Sequence, residues 1–299
     1  MTLSPIVLFV YNRLWHTKQT IEALQKNTLA QESELFIYSD APIENTSREQ
    51  VQEVRDYLSE VTGFKKVTII ERDSNWGLAR SIIDGVSSVV NHYGKIIVLE
   101  DDMVTSPFFL QFMNEALTHY QSTKAVWHVS GWAYPFQESD HDATYLWRFM
   151  NCWGWATWSD RWQYFEKDSE QLTTNFSNAE IKRFNLDGKS NFWQQVIDNH
   201  STKLNTWAIF WYATIFQHNG LCLNPKVSYL ENIGCDESGQ HCSTTHQTTG
   251  ELLNNTATSH FSELMIEDKA MRTKIQDYYR SRTPKLSHRI INKLRRVWP

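Results

Sequence analysis

Three carboxylates stand side by side at Glu100, Asp101 and Asp102, after the apolar run Ile96-Ile97-Val98-Leu99 and before Met103-Val104. Adjacent anions repel, so such a triplet at the end of a buried strand calls for a cation beside it or for open water. Hard divalent ions such as Mn²⁺ or Mg²⁺ take oxygen ligands. Sites for nucleotide phosphates often use only one or two protein carboxylates and leave the other positions to phosphate and water. Successive strand residues point to opposite sides, so Asp101 and Asp102 are expected to do different work. Metal-dependent hydrolases and phosphotransfer enzymes can use the same pair. A solvated acidic loop is the competing reading, weakened by the apolar runs on both sides.

The elements that would position this triplet recur along the first third of the chain. Apolar runs at 5–13, 34–42 and 66–73 read as strands, and the stretch from Lys95 makes a fourth. Between them, 17–25, 48–61 and 78–92 carry apolar residues at helical spacing. This alternation predicts an α/β fold with a mostly parallel sheet and helices on both faces. In open sheets of this kind ligands collect at the carboxyl ends of the strands. Those ends supply Arg13, Asp40, the stretch Glu71-Arg72-Asp73, and the triplet, so polar chemistry gathers on one edge.

Composition narrows the partners. The 299 residues carry a formal net charge of −5, which gives no general electrostatic basis for nucleic-acid binding. Cys152, Cys222, Cys235 and Cys242 form no C-x-x-C pair or zinc spacing, and reduced thiols in a cytoplasmic protein are expected. The run Ile6 to Val10 is too short for a membrane span or signal core. Seven of the thirteen tryptophans fall between Trp127 and Trp162; large aromatics are mostly buried, so one or two of the seven are expected to touch ligand. The stretch 206–220 reads as a buried helix stopped by Gly220, and 235–259, rich in Ser, Thr, Gln and Gly, as a loop or lid.

The order strand-YNR, strand-SDAP, NWGLAR and strand-LEDD resembles a nucleotide-sugar glycosyltransferase of the GT-A fold, most similar to the N-acetylglucosaminyltransferase I family and its bacterial relatives. The resemblance runs from about Pro5 to His241. It implies a donor-binding half at 1–125, continuous with an acceptor-binding half and closing loop at 126–265; beyond it, 266–299 reads from its own pattern as a helical, basic amphipathic tail. It further implies that Asp102 coordinates Mn²⁺ (or Mg²⁺), that Asp101 binds a ribose hydroxyl, and that Glu100 lies beside the donor sugar. By the same likeness Arg13 contacts the diphosphate and Asp40 the uridine. Gly77 and Arg80 belong to the glycine-and-arginine segment, with Arg80 pairing either with the acidic edge or with phosphate. Trp153, Gly154 and Trp155 resemble the segment lining the donor-sugar and acceptor pocket, and His241 a residue of the closing loop that reaches phosphate or metal.

One position departs from the pattern. Many relatives carry a carboxylate after the first tryptophan of the helix matching TWAIFW, as general base for the acceptor hydroxyl; here Ala208 stands there. Asp236 is the first candidate to replace it and Asp160 the second. The stereochemistry of transfer is left open. The tail 285–299 combines an apolar helical face with Lys285, Arg289, Lys293, Arg295 and Arg296, a pattern suited to peripheral contact with an anionic membrane. The expected partners are therefore a nucleotide-sugar donor and a saccharide or lipid-linked saccharide acceptor. They fit bacterial surface polysaccharide synthesis in the cytoplasm or at the inner face of its membrane. A nucleotidyltransferase is the alternative enzyme, disfavoured because YNRLWHT is no glycine-rich, lysine-containing loop. A carbohydrate-binding protein without catalysis is the non-enzymatic one.

Overall fold

The computed structural model of the chain describes residues 2–43, 47–136, 138, 140, 143–236, 253–257 and 260–282. The first part runs β1 (Ile6–Val10), α1 (Leu14–Gln25), β2 (Glu34–Ser39), α2 (Arg48–Ser59), β3 (Lys66–Glu71), α3 (Gly77–Tyr93) and β4 (Lys95–Glu100). It continues with β5 (Met103–Thr105), α4 (Phe109–His119), β6 (Val126–Ser130), β7 (Thr144–Trp147), β8 (Trp155–Trp158) and α5 (Ser159–Trp162). Then follow α6 (Ser169–Asn175), α7 (Asn178–Phe184), α8 (Trp193–His200), α9 (Ala208–Gln217), β9 (Leu221–Pro225), β10 (Leu230–Asn232) and α10 (Lys269–Arg282).

Two compact units result. The larger comprises Met1–Lys167 and Thr206–Glu267 and holds a sheet of order β3-β2-β1-β4-β8-β6-β9-β7. Strands β3, β2, β1 and β4 are mutually parallel, as the alternating sequence pattern requires; β8 then enters antiparallel against both β4 and β6, β9 returns parallel to β6, and β7 closes antiparallel. The α/β architecture with a large, mostly parallel central sheet is therefore the observed one. Burial follows position: every residue of β1 is buried, whereas β3, at the sheet edge, is half-exposed along its middle and exposed at both ends. Each fully buried aliphatic side chain of β1 contributes about 1.5–3 kcal/mol, which makes this strand a rigid mount for the residues at its end.

The tryptophans build the core of the second half. Trp127, Trp132, Trp147, Trp155, Trp158 and Trp162 are buried, and Trp155 stacks on Trp207 at 5.2 Å and on His128 at 5.5 Å. Only Trp153 of the seven is half-exposed. Cys152 and Cys222 are free thiols, but Cys235 is disulfide-bonded, which corrects the expectation of reduced thiols throughout: the lack of a C-x-x-C pair or zinc spacing does not exclude a disulfide.

The smaller unit comprises Asp168–Asn205 and the chain from Asp268. Its helices are locally specified: Asp168 accepts from Gln171 N at the start of α6, and Ser177 with Glu180 forms a reciprocal capping box at α7. Phe184 and Trp193 pack edge to face within it at 5.4 Å.

Candidate functional site

The site grows from the carboxyl ends of β1, β2 and β4, which the parallel registers bring level. Val10 pairs with Ser39, and Phe9 with Glu100, so Asn12-Arg13, Asp40 and Glu100-Asp101-Asp102 emerge on one edge. There they line a cavity of about 540 Å³ together with Tyr38, Asn75, Ser81, Trp153 and Asn232.

Arg13 supplies the cation that the triplet demands. Its Nε donates to Asp101 Oδ2 at 3.2 Å, and its Nη2 donates to Asp101 Oδ1 and, at 2.8 Å, to Asp102 Oδ2. The pairing is nearly dry: the side chains of Asp101 and Asp102 are 7% and 12% exposed. Burial opposes the Arg13 charge, yet the hydrogen bond and attraction of Asp101, with those of Asp102, hold its pKa above the ordinary arginine value. Burial, with repulsion from Asp102 and Asp101, pushes the Glu100 carboxyl up to about 8, and burial raises Asp101 to about 6 against the pull of Arg13. The triplet is thus relieved by the guanidinium, and burial with mutual repulsion holds Glu100 toward its protonated form.

Asp40 is committed to the backbone. Oδ1 accepts from Ala41 N and Trp76 N, both at 2.9 Å, and Oδ2 from Gly77 N at 2.8 Å, so one carboxylate ties the end of β2 to the start of α3. A carboxylate here also suits the positive end of that helix. Gly77 has φ +71°, the left-handed region that the turn into α3 requires and that glycine adopts without strain. Arg80 is exposed and stacks on the Trp76 ring at 3.8 Å, with Arg72 at 3.8 Å from the same ring. It pairs with the indole rather than with the acidic edge, because the helix start turns it outward.

Trp153 lines the cavity, whereas Trp155 belongs to the aromatic core and is 1% exposed, which corrects its expected place in the pocket: Trp153 precedes β8, and the chain turns at Gly154 before Trp155 opens the strand, a change of direction that the short motif does not reveal. Gly154 lies between them at φ +52°, with Leu230 Cδ2 only 2.1 Å from where a Cβ would sit. Asp160 lies on the wrong edge for a base. Trp158 pairs with Lys95, at the opposite end of β4 from Glu100, a separation of about five strand steps or roughly 16 Å. Asp160 is instead paired with Lys124 and Arg161. Asp236 is on the side of the site, with Oδ2 3.1 Å from His16 Nε2, an ion-pair contact without the alignment of a hydrogen bond. His241 and the tail 285–299 lie outside the described residues.

Among the described residues, three polar atoms of the cavity lining are buried without a hydrogen-bond partner: Asp102 Oδ1, Arg13 Nη1 and Ser81 Oγ. Buried polar groups are nearly always satisfied, so an acceptor, a cationic donor and a hydroxyl left open around one cavity mark it as a place for a polar ligand. Asp102 Oδ1 fits a hard divalent cation. Among the described residues no group of three His, Cys, Asp or Glu side chains could hold such an ion, so it would depend on ligand oxygens and water for its other positions. Asn75 Nδ2 donates to Ala41 O at 2.6 Å and steadies the rim. Ser81, Tyr38 and Asn232 escaped sequence reading. The first two sit inside regular elements, where only the fold shows which face meets the cavity.

The family model of glycosyl transferase family 2 matches residues 6–189, and the chain belongs to that family. The family matched is this one; nothing in the match selects the N-acetylglucosaminyltransferase I family. No curated protein matches the sequence. Among solved structures, the chain is similar to mannosyltransferase PcManGT from Pyrobaculum calidifontis, in complex with GDP-Man and Mn²⁺, at 10% identity and TM-score 0.40, covering 73% of this chain and 69% of that one. It is also similar to residues 1–349 of S. aureus TarS, at 8% identity and TM-score 0.41, covering 77% of this chain and 61% of that one.

Proposed function

From that membership we propose that the chain moves a hexosyl or N-acetylhexosaminyl group from a nucleoside-diphosphate sugar, a UDP-sugar in the first instance, to a saccharide or lipid-linked saccharide acceptor. The observation that carries the reading is the trio of open polar atoms around one cavity: Asp102 Oδ1 for a divalent cation, Arg13 Nη1 for phosphate, and Ser81 Oγ for a nucleoside or sugar hydroxyl. Mn²⁺ or Mg²⁺ held by Asp102 would act as a Lewis acid on the diphosphate leaving group.

The chain's own residues do the rest. Arg13 locks Asp101 and one oxygen of Asp102, which orients the second Asp102 oxygen and spares an incoming anion from unscreened carboxylates. Glu100 lines the cavity at the end of β4, where its carboxyl can hydrogen-bond a sugar hydroxyl. Asp40 holds the cavity wall through α3 and keeps little acceptor capacity for the base. Trp153 offers a half-exposed indole for a sugar ring. Asp236 is assigned the proton of the acceptor hydroxyl, since Ala208 cannot take it. No helix among the described residues is long and apolar enough to cross a membrane; contact of 285–299 with an anionic membrane, and a place in surface polysaccharide synthesis, rest on the sequence pattern.

Ala208 favours one second reading, a sugar-binding protein that has kept the fold without turnover. A panel of nucleotide sugars assayed for nucleotide release with and without Mn²⁺ separates the two. Cation-dependent release from one donor is expected; tight donor binding with no release under any condition would favour the second reading.

A further inference from the structure

The segment that follows β10 passes directly over the proposed cation ligand. β10 pairs antiparallel with β5, setting Asn232 opposite Met103, and the next residue continues the ladder as Ile233 N donates to Asp102 O at 2.9 Å. Gly234 is then held by its own N–H, which donates to Asn232 Oδ1 at 2.8 Å. Two residues on, Asp236 reaches His16 of α1 at 3.1 Å. The strap 232–236 is thus fastened to β5 at one end and touches α1 at the other, with Asp102 beneath it.

At the crossing point there is room for hydrogen alone. A Cβ on Gly234 would fall 2.0 Å from Asp102 Oδ2, 2.8 Å from its Cγ and 3.0 Å from its Cβ. The φ of Gly234 is not in the left-handed region, so its backbone is open to any residue and the contact with Asp102 is what excludes a side chain. Oδ2 is therefore walled in by Gly234 on one side and takes Arg13 Nη2 at 2.8 Å on another. Oδ1 keeps no hydrogen-bond partner among the described residues.

We propose that Gly234 is a positioning residue for the divalent cation: it holds Asp102 in the rotamer that gives Oδ2 to Arg13 and leaves Oδ1 for the ion, and so couples the strap to the metal site. The inference rests on the reading of Asp102 as the cation's ligand, and it adds a residue that neither the acidic motif nor the family match points to. A supporting shell of this kind matters because it fixes the direction of the liganding oxygen, and its loss typically weakens metal binding by about 10- to 100-fold.

The test compares the unaltered chain with Gly234→Ala, Asp102→Ala and the double variant. Mn²⁺ uptake is followed by electron paramagnetic resonance in the presence of UDP, GDP, CDP or ADP, alongside thermal unfolding without metal. Gly234→Ala is expected to weaken Mn²⁺ uptake about 10- to 100-fold. It should also lower the melting temperature, and the double variant should lose less than the two single losses combined, because removing the carboxylate removes the two closest contacts. Asp102→Ala abolishing uptake while Gly234→Ala leaves it unchanged would overturn the clamp and keep the proposed function. Uptake unaffected by Asp102→Ala, or absent from the unaltered chain with every nucleotide, would overturn the proposed cation site and the clamp with it. If Gly234→Ala fails to fold, the double variant decides: recovery of folding supports the contact, and no recovery overturns it.

Discussion

Removing the guanidinium of Arg13 puts the electrostatic account of the site to the test. Arg13→Ala leaves Asp101 without the partner of both its oxygens and Asp102 without that of Oδ2, in surroundings where those side chains are 7% and 12% exposed. Breaking one side of a buried pair costs about 3–5 kcal/mol, because the charge left behind is neither hydrated nor paired. For a chain of this size, with a melting-temperature change of about 2 °C per kcal/mol, the expected drop is about 6–10 °C at pH 8, measured by circular dichroism. The sign with pH is fixed by the carboxyls. Asp101, raised to about 6, and Glu100, raised to about 8, take up protons as the pH falls, so the pairing stabilises the fold above about pH 6 and fades below it. The gap between Arg13→Ala and the unaltered chain should therefore narrow from pH 8 to pH 5. A drop below 2 °C at pH 8, or a gap that widens on acidification, would refute the argument that this arginine offsets the triplet.

Three further outcomes are expected. Trp155→Ala, emptying a site in the aromatic core, should cost about 3–5 kcal/mol of stability by denaturant titration, whereas Trp153→Ala should cost far less and weaken sugar-dependent binding instead. Asp40→Ala strands the N–H groups of Trp76 and Gly77 and should cost about 1–3 kcal/mol, with faster amide exchange in the first turn of α3. His128, wholly buried, has a pKa lowered to about 3 by burial, with Nε2 2.9 Å from Asn151 O and Nδ1 accepting from Trp211 Nε1 at 3.2 Å. The unfolded chain takes a proton that the folded chain refuses, so stability should fall by about 1.4 kcal/mol per unit as pH drops below about 6.5, a slope that His128→Gln should lack in equilibrium unfolding.

The first half of this fold is legible in its sequence because each parallel strand is a short aliphatic run followed by a polar residue. IVLFV before Arg13, ELFIYS before Asp40 and KIIVLE before Asp101 announce both the strand and the edge where the site forms. The strands β6, β7 and β8 were not legible, since VWHVS, TYLW and WATW mix aromatic, hydroxyl and imidazole groups whose burial depends on partners far along the chain. The need for a cation beside the triplet followed from charge alone. That Arg13 meets that need, instead of reaching only for phosphate, depends on side-chain reach across two strand ends. Asp40 and Arg80 show the same gap: residue type announced polarity, and only the start of α3 decided that one caps backbone amides and the other stacks on Trp76. Gly234 carried no sequence signal, because its role is an absence of atoms above Asp102.

The central claim is that the carboxylate of Asp102 turns a buried acidic strand end into the cation-dependent donor site of a glycosyltransferase. Nucleotide release from the preferred sugar donor, measured for the unaltered chain and for Asp102→Ala with Mn²⁺ and with chelator, tests it most directly. Release should need the cation and fall by at least about 10²-fold in Asp102→Ala while the variant keeps its circular dichroism spectrum. Cation-dependent release at an unchanged rate in the folded variant would contradict it.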